Sequence, residues 1–354
     1  MATSKPLFDV GKARQAIEKG RRAKWWKRRG SMKSGFHYVD AEGQKITDEA
    51  HLERIKGLVI PPAWKYIRIS PTHGSRLQAV GMDTNGRVQY LYHAKFAARQ
   101  QARKFSRIVD FGKHLPRLRQ VTNEHIMLDG FPREKVLAVM TRLINSLYFR
   151  VGTEKSAKHY RTYGITTLQN KHLTFGDNGE LIFDFVGKSH VKHRKILVDK
   201  ELAEVMKVLK SLGGARKLFN YLNGDGKARP VRPSELNEYI KSSTSPDFSS
   251  KDFRTWAGSL LMAVRLGELG KPEDEQQIKK NIIEAVKCVA EDLGNTPTVC
   301  RSSYIHPAVL KCYEQGMTID NFRPRRDRRI KRLEAEYEPE ESALLKLLQA
   351  SSLS

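Results

Sequence analysis

The hydrophobic period of this chain changes near residue 95, and that change limits the folds open to it. Before it, apolar residues come in short segments broken by turn residues. FHYVDAEGQKI, from Phe36, reads as strand, turn, strand. LVIPPAWKYIRIS sets Pro61 and Pro62 ahead of an alternating run with Trp64 and Tyr66. In LQAVGMDTNGRVQYLYH, Asn85-Gly86 parts two strand-like runs, a hairpin signal because such turns need residues tolerant of positive φ. After residue 95 the period becomes helical. A basic helical stretch runs to about residue 120. Then Val136, Leu137, Val139, Met140, Leu143, Ile144, Leu147 and Tyr148 make one apolar face of a helix over 134–149. Arg150 follows at its end and Gly152 stops it.

Two textures in one chain predict an α+β fold. The expected parts are a small antiparallel β-rich N-terminal lobe (36–115) and a larger, mostly α-helical lobe (116–320). The larger lobe holds a three-stranded β-meander: HLTF, ELIFDFVG and KILV, joined by the turns GDNG and KSHVKH. Lys188 sits at the second turn, just after Gly187. The loop SSTSPDFSS precedes a helix, KDFRTWAGSLLMAVRL, and Ile278, Ile282, Ala285, Val289 and Leu293 stripe another that Gly294 ends. A basic arm (1–35) carries eleven Lys/Arg against two acids and reads as a solvated, phosphate-gripping tail with Trp25 and Trp26 available for stacking. A charged tail (321–354) runs from RPRRDRRIKR through EAEYEPEE to a short amphipathic run.

Charge narrows the function. The 354 residues carry 64 Lys+Arg against 39 Asp+Glu, a net charge of +25. A field of that sign attracts polyanions, nucleic acid before an anionic membrane; a basic structural protein of the ribosomal kind is the plain alternative. No run of 18 apolar residues predicts a membrane span, and the N-terminus has no apolar signal core. Three cysteines without a CxxC pair predict neither a disulfide framework nor a zinc site. His190 and His193 lack acidic or cysteine partners at ligand spacing and read as solvated turn residues. No metal and no cofactor are expected, and the expected location is the cytoplasm, at the nucleoid.

Transferring a DNA phosphodiester without a metal takes a nucleophile, fixed cations around the pentavalent phosphorus, and a proton donor for the departing 5′-oxygen. A tyrosine suits the first role, because a phenoxide both attacks and leaves. Arginine suits the second, since its fork grips two oxygens and keeps its charge. Lysine suits the third when neighbouring cations lower its pKa. Taken singly, each candidate here is ordinary: an arginine at a helix end, a lysine in a turn, one of twelve tyrosines.

Taken in order, LYFRVGTEK, FVGKSHVKH, KDFRTWAG and GNTPTVCRSSY resemble the type IB DNA topoisomerases, in their compact bacterial and poxviral branch. The likeness runs from about Phe36 to Gly316, and GMDTNGRVQYLYH shares it. It implies an enzyme that cuts one strand of duplex DNA through a 3′-phosphotyrosyl link, lets the duplex rotate and reseals it, without ATP or an obligatory metal. It implies a monomer clamped around double-stranded, preferably supercoiled, DNA. By motif, Arg150 and Arg254 would hold the scissile phosphate, Lys188 would protonate the 5′-oxygen, Asn295 would hydrogen-bond a non-bridging oxygen, and Tyr304 would attack. Many members have histidine at the Asn295 position; an amide donates a hydrogen bond but carries no charge. Gln89 would read a base, Tyr90 and Tyr92 would touch sugar or phosphate, and Lys155, Lys251 and Arg301 would hold flanking phosphates. A tyrosine recombinase is the nearest alternative, but such enzymes usually place histidine where Lys251 stands, three residues before Arg254. A non-catalytic DNA-binding protein would account for the charge and not for the ordered set.

Overall fold

The computed structural model describes residues 9–212, 216–245, 247–323 and 337–352. It divides into two compact units, Met1–Arg103 and Lys104–Ser354.

The first unit is a five-stranded antiparallel sheet between helices. Its elements are α1 (Val10–Ile17), β1 (Trp26–Ser31), β2 (Gly35–Val39), α2 (Glu49–Gly57), β3 (Lys65–Ile69), β4 (Leu77–Met82) and β5 (Val88–Tyr92), with strand order β2-β1-β3-β4-β5. Alternation on β4 feeds both faces. Ala79 packs with Trp26, Ile55, Ile67 and Ile69, whereas Val80 and Met82 pack with Ala13 and Ile17 of α1. The β4–β5 hairpin forms where Asn85-Gly86 points to it, but only Gly86 takes positive φ (79°). Its amide donates to the Asp83 carbonyl at 3.0 Å, and Asp83 Oδ1 accepts from the amides of Asn85 and Arg87. The aspartate makes this a longer turn than the two-residue type.

From Asp9 onward the basic arm differs from the solvated tail expected. Asp9 caps α1, accepting from the Lys12 amide at 3.1 Å, and Trp26 is buried under Arg54, whose guanidinium lies 5.2 Å from the indole centre. The indole of Trp25 packs against the α1 cluster. The two tryptophans are therefore occupied by this unit's own core, because apolar surface of that size gains more from burial than from waiting for a ligand. Residues 1–8 of the arm lie outside the described residues.

The second unit is mainly helical. The division between units falls within α3 (Ala94–Ile126). Then come α4 (Arg133–Leu147), α5 (Glu154–Tyr160), β6 (Leu173–Phe175), β7 (Glu180–Val186), β8 (Lys192–Val198), α6 (Lys200–Ser211), β9 (Asn220–Leu222), β10 (Ala228–Pro230) and α7 (Pro233–Ser243). They continue through α8 (Ser250–Glu268), α9 (Glu275–Leu293), α10 (Pro297–Ser303), α11 (Pro307–Glu314) and α12 (Pro339–Ser352). The meander β6-β7-β8 is antiparallel, as expected, and β9 and β10 form a separate ribbon. One continuous core joins α3, α4, α8, α9, α11 and α12.

Two further readings change here. The α4 helix ends at Leu147, earlier than Gly152, because Tyr148 turns left-handed (φ 59°, ψ 33°). Phe149 then leaves the helix and packs edge-on against Phe183 and Phe185, with ring centres 5.1 and 5.5 Å apart. Arg150 consequently stands on an extended segment instead of a helix end. The final amphipathic run is no tail but α12, with Ala343, Leu344, Leu345, Leu347 and Leu348 buried and Glu341 paired to Arg119 at 2.7 Å. Four buried leucines, at about 1.5–3 kcal/mol each, hold such a helix to the core. The RPRRDRRIKR stretch from Pro324 onward lies outside the described residues.

Candidate active site

The segment Arg150–Gly152 is pinned by backbone. The Ile165 amide donates to the Arg150 carbonyl at 2.8 Å, and the Thr166 amide to the Val151 carbonyl at 2.9 Å. Contact this close needs glycine: a β-carbon on Gly164 would stand 2.5 Å from the Arg150 carbonyl oxygen, and Gly152 has φ +87°. Arg254 projects from the first turns of α8, where the Asp252 carboxylate accepts from the Ser249 amide at 2.8 Å and ion-pairs with Arg107 at 2.5 Å.

Asn295 is placed by the end of α9. Gly294 is left-handed (φ 59°); its amide donates to the Glu291 carbonyl, and the Asn295 amide to the Ala290 carbonyl at 2.8 Å. This is the double hydrogen bond of a glycine-terminated helix. Thr296 then caps α10, and Pro297 takes its first position, where the missing N–H costs nothing. Tyr304 ends α10. A β-carbon on Gly258 would lie 2.7 Å from the Tyr304 carbonyl oxygen, so only a glycine lets α8 receive that peptide. The next residue of α8, Ser259, donates to the same carbonyl at 3.3 Å and accepts from the His306 amide at 3.0 Å.

These elements bring four of the five expected residues into contact. One terminal nitrogen of Arg150 donates to the Gly294 carbonyl at 3.1 Å and to Asn295 Oδ1. Arg254, 5% exposed, donates to the Tyr148 carbonyl at 2.5 Å and the Leu293 carbonyl at 2.6 Å, and its guanidinium carbon lies 5.1 Å from the Tyr304 ring centre. Burial, then the charge of Arg150, brings the Arg254 pKa down to about 10; burial also lowers that of Arg150, while the nearby Tyr304 phenol favours the charged form of both. Among the described residues no carboxylate pairs with either arginine. Two buried donors, Arg254 Nε and Asn295 Nδ2, have no acceptor. Converging unneutralised cations and orphan donors make a site for an anion with several oxygens.

The fifth residue, Lys188, is exposed in the β7–β8 turn, where Ser189 and His190 both have positive φ (62° and 60°). It lines a cavity of about 20 Å³ together with Arg150, His193, Lys195, Arg254 and Asp292, room for one water. His190 is exposed in the turn as expected, but His193 is not a solvated turn residue. It lies on β8 opposite Phe185, stacked at 5.1 Å, because the inward face of the strand carries it into the pocket. Burial, with Lys195, Arg150 and Arg254 behind it, brings its pKa down to about 4. Two lysines also went unnoticed in the sequence. Lys195 donates to the Asp292 carbonyl at 2.6 Å. Lys104 of α3 donates to the Ser303 carbonyl and stands 5.5 Å from the Tyr304 ring centre. Burial lowers the pKa of both.

Comparison with known proteins adds sequence relationship to this geometry. Residues 93–329 match the family described as eukaryotic DNA topoisomerase I, catalytic core, and residues 35–83 match bacterial DNA topoisomerase IB, N-terminal domain. The chain belongs to the type IB DNA topoisomerase family. Among its relatives, DNA topoisomerase 1B of Acanthamoeba polyphaga mimivirus is 31% identical over 288 residues, covering 79% of this chain and 84% of that protein. DNA topoisomerase 1B of vaccinia virus (strain Copenhagen) is 24% identical over 249 residues, covering 70% and 75%. Both α1 and α12 lie outside the matched family regions.

The candidate DNA contacts of this type IB family member are less closely held. Lys155 on α5, Lys251 on α8 and Arg301 on α10 are exposed. In the first unit, Tyr90 and Tyr92 are 43% and 48% exposed, with rings stacked 6.4 Å apart. Gln89 points to the other face of β5, and its amide donates to Asp83 Oδ2 at 2.9 Å. That bond uses one of its two N–H groups and leaves the other and Oε1 for a further partner.

Proposed function

We propose that this protein relaxes positive and negative DNA supercoils by cutting and resealing one strand of a duplex through Tyr304. In the cutting step the Tyr304 oxygen bonds to phosphorus and the P–O5′ bond breaks. The phenol proton goes to solvent, and Lys188 supplies a proton to the departing 5′-oxygen. Arg150 and Arg254 grip the non-bridging oxygens, and the Nδ2 of Asn295 donates to one of them. Such fixed donors commonly contribute the largest part of the catalysis. Resealing runs the same step backwards: the 5′-hydroxyl returns its proton to Lys188, attacks phosphorus and expels the phenoxide. One phosphate ester is exchanged for another, so the cycle needs no ATP.

What carries this reading is the meeting of two arginines that have no carboxylate partner among the described residues with an orphan amide donor beside a tyrosine, within a chain of the type IB family. The proposal extends to Lys155, Lys251 and Arg301 as contacts to flanking phosphates, to Gln89, Tyr90 and Tyr92 as contacts to the duplex, and to a single chain acting in the cytoplasm at the nucleoid. The test is relaxation of supercoiled plasmid in EDTA without ATP. The wild-type protein is expected to relax it. Tyr304→Phe is expected to bind DNA with unchanged affinity and relax none. Relaxation by Tyr304→Phe would overturn the assignment of the nucleophile, and binding without relaxation by the wild type would favour a non-catalytic DNA-binding protein.

A further inference from the structure

The imidazole of His193 is in contact with two glycines that flank proposed catalytic residues. A β-carbon on Gly187, just before Lys188, would stand 2.6 Å from its Cδ2 and Nε2. One on Gly294, just before Asn295, would stand 2.2 Å from its Cε1. The flat side of the ring rests on Phe185, tilted by 27°. Among the described residues neither ring nitrogen takes part in a hydrogen bond, so the contact is one of shape. Bare backbone on two sides and an aromatic ring on a third leave space for something flat and for nothing branched.

We propose that His193 is a positioning residue whose ring sets the separation between the turn carrying Lys188 and the helix end carrying Asn295. The inference rests on the proposed roles of those two residues. The β7–β8 turn is closed by bonds from the Gly187 amide to the Val191 carbonyl at 2.8 Å and from the His190 amide to the Gly187 carbonyl at 3.1 Å, so it moves as a unit, and the ring against Gly187 fixes where that unit stands relative to the helix end. A neutral ring suits the place, since Lys195, Arg150 and Arg254 already crowd it with positive charge and Lys188 lines the same cavity. Asp292 is the one acidic residue lining that cavity.

The experiment is single-turnover cleavage of duplex DNA by the full-length protein, with either oxygen or sulfur as the 5′-bridging atom. A thiolate leaves without being protonated, its pKa being near 8.5. With sulfur the placement of Lys188 therefore ceases to matter. With oxygen, His193→Ala is expected to cut about tenfold to a hundredfold more slowly, the scale of a misplaced catalytic group, with DNA affinity unchanged. With sulfur its deficit should shrink to about threefold or less, and Lys188→Ala should show the same pattern more strongly. His193→Phe keeps a flat ring and should recover most of the oxygen rate. The proposal is overturned by a wild-type rate in His193→Ala, by equal deficits on the two substrates, or by His193→Phe as slow as His193→Ala. If Lys188→Ala itself shows no preference for sulfur, the proton-donor reading fails and the His193 inference falls with it. If Lys188→Ala shows the preference and His193→Ala does not, only the inference fails.

Discussion

Arg254 and the tyrosines of β5 sit at two extremes of how a protein holds a polar group. Arg254 is 5% exposed and donates to two backbone carbonyls, with a glycine on its own helix receiving the Tyr304 peptide. Tyr90 and Tyr92 are 43% and 48% exposed and lean on each other, and Tyr92 also on Phe96. The pocket suits a reaction in which donors must already stand where charge develops. The strand suits a surface that adjusts to a partner, where a shift of an ångström costs little. Substitutions should therefore act steeply in the pocket and gently on the strand.

After the complete loss expected of Tyr304→Phe, the steepest effect comes from Arg254→Lys. An ammonium keeps the charge and loses the planar fork, so it cannot hold the two carbonyls and still face a phosphate. The rate of covalent adduct formation should fall by about 10²–10³-fold, measured by trapping the protein–DNA adduct. A loss below tenfold would remove the contrast with β5.

Acid should weaken the second unit. His172 is 7% exposed, its Nδ1 accepts from the Gln169 amide at 3.0 Å, and burial brings its pKa down to about 4; His193 and His306 are lowered similarly. Between about pH 6.5 and pH 4 the unfolded imidazoles bind protons that the folded ones refuse, so stability rises with pH across this window and is lost as pH falls. For His172 alone the difference is about 3 kcal/mol. Urea midpoints from pH 7 to pH 4 should show the decline, and His172→Phe should make it shallower; an unchanged slope would mean that another group carries it.

Gly258→Ala sharpens the contrast from the packing side. The added methyl meets the Tyr304 carbonyl oxygen and β-carbon at 2.7 and 2.8 Å. Overpacking of this kind costs about 1–3 kcal/mol, and displacement of Tyr304, the proposed nucleophile, should slow cleavage about tenfold or more. A normal cleavage rate in a destabilised variant would show that Tyr304 is not positioned through α8.

The smallest effects belong to β5. Tyr90→Ala or Tyr92→Ala should each weaken DNA binding by about 1 kcal/mol, roughly fivefold in Kd, with the cleavage rate of bound DNA unchanged. A change in that rate would place the strand within the catalytic machinery.

Much of the pocket was legible because its parts are local. Gly294 before Asn295 and Lys188 after Gly187 each sit in a few residues whose backbone demands are visible in the letters. Their convergence was not local, since α4, α8, α9 and the β7–β8 turn meet only through the core. His193 was missed because only the structure shows which way it faces. In β8 exposed and half-buried residues alternate, so His193, Lys195 and Leu197 share the inward face opposite Phe185, Phe183 and Leu181. The lack of acidic or cysteine partners at ligand spacing had made it read as a solvated turn residue. The basic arm misled in the same way: its charges outnumber the few apolar residues, Ala13, Ile17 and Trp26, that fold it.

The sequence by itself determined the division into β-rich and helical parts, the meander, the family resemblance and the ordered set from Arg150 to Tyr304. These follow from periodicity and short motifs, which act between neighbours along the chain. The tertiary structure alone decided that α4 stops at Tyr148, that α1 and α12 are core instead of tails, and that a histidine is wedged between two glycines at the pocket. Those outcomes depend on which distant surfaces exclude water together and how closely their backbones approach, and neither is set by neighbours in sequence.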